Sequence, residues 1–158
     1  MSHTLDRMDR KILKLLQEDC RQPVSDIADA VGLSKSACHR RVKALTDAGI
    51  IDRFTATLRP DALGYHLVFS IDVRLKGQSD EVLRRFESDV MEIAEVLECQ
   101  LMTGETDYTL RVVARDSADY ERIHHRLARL PGVSTLVSRL VLRTVKKPSG
   151  MPLPEAGR

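Results

Sequence analysis

Residues 24–48, VSDIADAVGLSKSACHRRVKALTDA, constrain the chain more than any other stretch. Val24, Ile27, Ala28 and Val31 recur at helical spacing, and Pro23 is tolerated at or just before a first turn. Gly32 can take the left-handed conformation that ends such a helix. Ser34 can then cap a second helix, its hydroxyl accepting a first-turn amide. In that helix Cys38, Val42 and Leu45 make one apolar stripe (i, i+4, i+7), while Lys35, Ser36, His39, Arg40 and Lys43 occupy the opposite arc and Arg41 flanks it. Two short helices hinged at Gly32-Leu33 follow.

A helix–turn–helix unit with a basic free face is the pattern of a DNA-binding head. Between Leu33 and Leu45 there are four basic residues (Lys35, Arg40, Arg41, Lys43) and no acid. The competing reading is a solvated face in a helical bundle. Charge along the chain favours the first: residues 1–60 hold 11 Lys/Arg against 8 Asp/Glu, and residues 61–158 hold 14 against 15. A basic front joined to a near-neutral back suits a nucleic-acid-binding module with a second function attached.

The flanking segments complete two units. Leu5–Asp19 reads as a first helix, with Leu5, Met8, Ile12, Leu15 and Leu16 inward and Asp6 and Asp9 at its positive end. Ile50–Leu58 is rich in β-formers and is expected as a strand leaving the head. Arg59-Pro60-Asp61 and Gly64 mark a hinge. From Leu67 the period becomes two, as in a strand with one buried face. A helix over 79–93 capped by Ser79, strands over about 96–103 and 107–115, a helix capped by Ser117 and stopped at Pro131-Gly132, and a strand over about 135–146 follow. The fold class is therefore α+β: an N-terminal tri-helical helix-turn-helix domain and a C-terminal ferredoxin-like βαββαβ domain. Expected boundaries are 1–52 for the head, 53–65 for hinge strand and linker, 66–147 for the second domain and 148–158 for a disordered Pro/Gly-rich tail. Apolar residues on both faces of the last strand (Leu136, Leu140, Leu142 and Val137, Val141, Val145) predict burial of the second sheet face by dimerisation.

Composition excludes several classes. No apolar run approaches the ~18 residues of a membrane span. The start MSHTLDRMDRK lacks the apolar core of a signal peptide, and three separated cysteines (Cys20, Cys38, Cys99) suit reduced thiols in a cytoplasm. No metal-ligand spacing, phosphate-binding loop or nucleophile–base–orienter set is present, so neither cofactor nor catalysis is expected.

The order of LDRMDRKIL (5–13), VGLSKSACHRRVKAL (31–45), GIIDRFTA (49–56), TGETDYTL (103–110) and LPGV (130–133) resembles the Lrp/AsnC (leucine-responsive, feast/famine) regulators over about residues 5–147. The resemblance implies a transcriptional regulator that binds double-stranded DNA and a small effector, usually an amino acid. It also implies a homodimer that assembles further, commonly to an octamer.

On DNA, Arg40 is the first candidate base reader, since a guanidinium meets guanine O6 and N7 bidentately. Ser36 and His39 can make single hydrogen bonds to bases. Lys35, Arg41 and Lys43 suit phosphates. The resemblance points to Arg41 in particular; an intramolecular ion pair with an acid such as Asp29 is the alternative. For the effector, the resemblance singles out Thr103, Gly104, Asp107, Tyr108 and Ser138, with Leu136 standing where a hydroxyl residue is common. Asp107 could accept hydrogen bonds from an α-ammonium. The alternative is a plain hairpin turn, with Asp107 satisfying turn amides and Tyr108 packing. At the level of function, an architectural DNA-wrapping protein and a metabolite-sensing module without DNA binding stand as the other readings.

Overall fold

The computed structural model describes residues 4–147 and 150–153. It divides into two compact units, Met1–Thr57 with Lys146–Arg158, and Leu58–Val145.

The first unit is built on α1 (Arg7–Glu18), α2 (Val24–Val31) and α3 (Lys35–Asp47). Asp6 caps α1 through a reciprocal pair: the Asp9 amide donates to Asp6 Oδ1 at 2.8 Å and the Asp6 amide to Asp9 Oδ2 at 3.2 Å. Such a box satisfies two amides that the first helical turn leaves unpaired. Gly32 ends α2 at φ 74°, a conformation that disfavours any side chain, which allows the sharp turn into α3. Ile12, Leu13, Ile27, Ala28, Val31, Cys38 and Leu45 are buried together between the three helices.

The second unit starts with a 3-10 turn, Asp61–Leu63, and continues as β1 (Leu67–Leu75), α4 (Asp80–Met91), β2 (Val96–Leu101), β3 (Tyr108–Ala114), α5 (Ser117–Ala128) and β4 (Val133–Leu140). The sheet order is β2-β3-β1-β4 and every pairing is antiparallel, so the expected βαββαβ arrangement is observed. Phe69, Ile71, Val73 and Leu75 alternate along β1 and meet Phe86 and Val90 of α4, Ile93, and Ile123 and Leu127 of α5. Tyr120 stacks on Phe69 with centroids 3.8 Å apart. The other sheet face is half-exposed and mixed: exposed Val137 lies beside Asp72, which pairs with Arg139, while Arg111 pairs with Glu98 and Thr109 Oγ1 donates to Asp72 Oδ1.

Four expectations need correction. Residues 50–58 form no strand, and Phe54 and Leu58 are 51% and 65% exposed. A strand requires a neighbour for its amides and carbonyls, and none lies beside this segment among the described residues. The last strand stops at Leu140 instead of about 146. The Val141 amide makes one more bond, to the Val68 carbonyl, and there its partner β1 runs out near its own start, leaving Leu142 and Val145 exposed. The cap of α5 is Asp116, whose carboxylate accepts from the Asp119 amide, and Ser117 is already helical. Finally, of the tail expected to be disordered, residues 148, 149 and 154–158 lie outside the described residues. Gly150–Leu153 instead lies on the first unit: Gln17 Nε2 donates to the Met151 carbonyl at 3.2 Å and Leu153 packs against the helical core.

Phe86 is fully buried at the centre of the second core and its ring contacts Tyr108. Phe86→Ala should destabilise this domain by about 3–5 kcal/mol in a denaturant titration. The helical head, which shares no core residue with it, should melt as before.

Candidate nucleic-acid interface and effector site

Helix α3 is positioned from its first residue. Ser34 Oγ accepts from the Ala37 amide at 3.2 Å and lies 3.2 Å from Ser36 Oγ, so one predicted DNA contact, Ser36, is engaged with the cap. Cys38 and Leu45 are fully buried, which fixes the rotation of the helix about its axis. Burial pushes the Cys38 thiol up, so it stays neutral. Lys35, Ser36, His39, Arg40 and Lys43 are exposed, as the periodicity predicts.

Arg41 behaves differently from its neighbours. Its Nη1 donates to Asp6 Oδ2 at 2.7 Å and to Asp9 Oδ1 at 2.8 Å, joining α3 to the start of α1. The partner is thus the α1 capping pair and not Asp29. Asp9 is nearly buried, so this is more than a surface pair. The Asp9 amide first, and Arg41 beside it, hold the Asp6 carboxyl below the usual range. Lys43 reaches Asp47 of the same helix at 2.8 Å, an exposed i,i+4 pair of small worth. Lys35, His39 and Arg40 have no hydrogen-bond or ion-pair partner among the described residues.

In the second unit, the turn between β2 and β3 carries Thr103 and Gly104, both exposed, with Gly104 at φ 107°. Asp107 is committed to the scaffold: Oδ2 accepts from the Leu75 amide and Oδ1 from Gln78 Nε2, each at 2.7 Å. Its own amide donates to the Val73 carbonyl at 3.0 Å. The carboxylate therefore ties the end of β1 and the following loop to the turn, and neither of these partners is an amide of the hairpin turn itself. Tyr108 points into the core and its hydroxyl donates to Glu87 Oε1 at 2.8 Å. Burial first, and that carboxylate second, push the phenol well above its ordinary range.

Ser138 faces the helix side of the sheet, beside Ile71, with its Oγ buried and without a partner. Leu136, two residues earlier on the same side, packs against the core next to Val73. The five effector candidates do not line one pocket within a single chain. Thr103, Gly104 and Asp107 are at the turn, whereas Tyr108 and Ser138 face the core from strands separated by β1. Thr106 and Thr135, which the sequence reading passed over, do share a shallow cleft of about 270 Å³ with Asp72, Arg74, Glu105, Val137 and Arg139. The signal for Thr135 was present: strand alternation puts it on the opposite face from Leu136. No cluster of three or more His, Cys, Asp or Glu able to hold a metal occurs among the described residues, and no described helix is long and apolar enough to cross a membrane.

A capped, basic recognition helix on a tri-helical head, followed by a four-stranded βαββαβ domain, defines a helix-turn-helix regulator with an attached sensing domain. Residues 5–46 match the AsnC-type helix-turn-helix domain and residues 68–151 the Lrp/AsnC ligand binding domain. The chain is 35% identical over 150 residues to the DNA-binding transcriptional activator DecR of Escherichia coli K12, covering 94% of this chain and 99% of that protein. It is 38% identical over 144 residues to the proline dehydrogenase transcriptional activator of Rhizobium radiobacter, covering 90% and 92% of the two chains. A solved transcriptional regulator of Neisseria meningitidis in complex with L-Met superimposes with a TM-score of 0.88 at 35% identity, covering 94% of this chain and 97% of that one. The chain belongs to the Lrp/AsnC family of DNA-binding transcriptional regulators, and is not an enzyme.

Removing Arg41 leaves the nearly buried Asp9 carboxylate without its guanidinium. Arg41→Ala should cost about 1–3 kcal/mol of head stability in thermal or denaturant melts. Because Asp6 has a depressed folded value, the stability it contributes is present above about pH 4 and is lost as the pH falls below that. The variant should show a weaker acid dependence of stability than the parent.

Proposed function

We propose that this regulator reads its operator through α3, with Arg40 meeting a guanine edge and Ser36 and His39 adding single base contacts. Lys35 and Lys43 neutralise phosphates. Arg41 orients the helix through Asp6 and Asp9, and its remaining N–H groups are available to a phosphate. The observation that carries this reading is the group Lys35, His39 and Arg40, exposed on one face of a rigidly capped helix with no partner among the described residues. Groups left unpaired at no internal gain are the ones free to meet a ligand.

The sensing domain takes a small effector, and an amino acid is the class we assign. The support is the likeness to the L-Met-bound regulator of Neisseria meningitidis. Thr103 and Gly104 bring exposed backbone to the ligand. Asp107 has accepting capacity beyond its two scaffold bonds for an α-ammonium, since a carboxylate offers about four lone-pair sites. Tyr108 supports the turn from beneath, and Ser138 contributes a hydroxyl whose needs are unmet within one chain. A homodimer formed over the open sheet face, assembling further up to an octamer, completes the reading. The polar and apolar groups on that face, among them Val137 and Val141, suit a partially polar interface. The protein acts in the cytoplasm, where its DNA is.

Two measurements test the reading. Arg40→Ala should weaken operator binding by about 1–3 kcal/mol and relax the preference at one base pair. Equal weakening on all sequences would make Arg40 a phosphate contact. A thermal-shift screen against the twenty amino acids should raise the melting temperature with one or a few of them, since a ligand that binds only the native state stabilises by mass action. Asp107→Ala should remove that shift. A screen without a hit at millimolar concentrations would refute the amino-acid assignment.

A further inference from the structure

Helix α1 carries a second basic surface that the recognition helix does not account for. Arg7, Lys11 and Lys14 fall at i, i+4 and i+7, on the side of the helix opposite Ile12 and Leu13, and all three are exposed. None has a hydrogen-bond or ion-pair partner among the described residues. The nearest acids in sequence, Asp6 and Asp9, are engaged by Arg41 of α3. Glu18 closes the stripe at its far end.

The segment that returns to this unit after β4 brings more charge to the same helix. The part of that segment that belongs to the first unit, residues 146–153, contains Lys146 and Lys147 and no acid. Residues 141–147 are exposed throughout. The strap is held at Gln17, whose amide donates to the Met151 carbonyl at 3.2 Å, and by Leu153 on the helical core. The backbone passes so close at Gly150 that a Cβ there would lie 2.6 Å from Gln17 Oε1. Gln17 is the i+3 neighbour of Lys14, so the two occupy adjacent positions on the helix surface. Lys147 precedes Gly150 by three residues, a reach of at most roughly 10 Å. Lys146 and Lys147 belong to the same compact unit as α1, within that reach of the Gln17 end of the stripe.

We propose that Arg7, Lys11 and Lys14, extended by Lys146 and Lys147, form a second, sequence-independent site for the phosphate backbone of duplex DNA, separate from the α3 surface. The stripe points away from the core that α3 packs on, so it engages a flanking or second stretch of duplex and not the groove that α3 enters. A row of unpaired cations without base-reading geometry supplies affinity through counterion release and carries no sequence choice. This rests on the head binding DNA as proposed above.

The test uses the full chain and a long duplex of random sequence, titrated over a range of NaCl concentrations. Arg7→Ala/Lys11→Ala/Lys14→Ala and Lys146→Ala/Lys147→Ala should each flatten the slope of log K against log salt, by about 0.9 per charge that contacts a phosphate. Melting temperatures equal to the parent's exclude unfolding as the cause, and Lys14→Glu alone should weaken binding further than Lys14→Ala. On a short duplex that spans only the α3 contacts, both multiple variants should match the parent. An unchanged slope on the long duplex for either multiple variant would overturn the shared site. Failure of the parent itself to bind duplex would instead refute the α3 reading.

Discussion

The contact on which the reading surface depends is the double hydrogen bond from Arg41 to Asp6 and Asp9. Two carboxylates at one helix start would repel each other and the first-turn geometry would loosen. Here each accepts an amide from the other's residue, and one guanidinium shared between them offsets the charge. The pairing is short, half-shielded and anchored on the nearly buried Asp9, so it is worth more than a surface ion pair. Its consequence is geometric. With Cys38 and Leu45 setting the rotation of α3 and Arg41 joining its flank to α1, the exposed arc from Lys35 to Lys43 is presented as a rigid set.

The sensing domain uses a related device at its turn. Asp107 holds the end of β1 and the start of the following loop by two 2.7 Å bonds. Immediately next to it Tyr108 reverses direction into the core and finds Glu87. A turn tied down on both sides keeps Thr103 and Gly104 at the surface in a defined backbone conformation. Rigid scaffolding under this loop suits the effector role proposed for it, because ordering a loop on binding would otherwise consume affinity.

Most of the architecture was legible in the sequence. The i, i+4, i+7 stripe of Cys38, Val42 and Leu45, the Gly32 turn, the Ser34 and Ser79 caps and the alternation along β1 are local patterns, and each appears where it was expected. Two of the misreadings share a cause. Residues 50–58 and 142–146 have strand composition but no strand beside them, and a strand exists only with its neighbour. Asp116 outcompeted Ser117 as a cap because the choice between adjacent capping residues depends on where the chain enters the helix.

The candidate site was legible in part, and for the same physical reason. Helical and strand periodicity determined which residues face out, so the exposure of Lys35, His39 and Arg40 on α3 follows from spacing alone. Which of those charges is free, and which is already paired, was decided only by tertiary structure. Arg41 meets acids 32 and 35 residues away, Asp107 meets Leu75 and Gln78, and Leu153 returns to the core of the first three helices. Ion pairs and hydrogen bonds are short-ranged, so their partners depend on distances in space that periodicity along a chain does not encode.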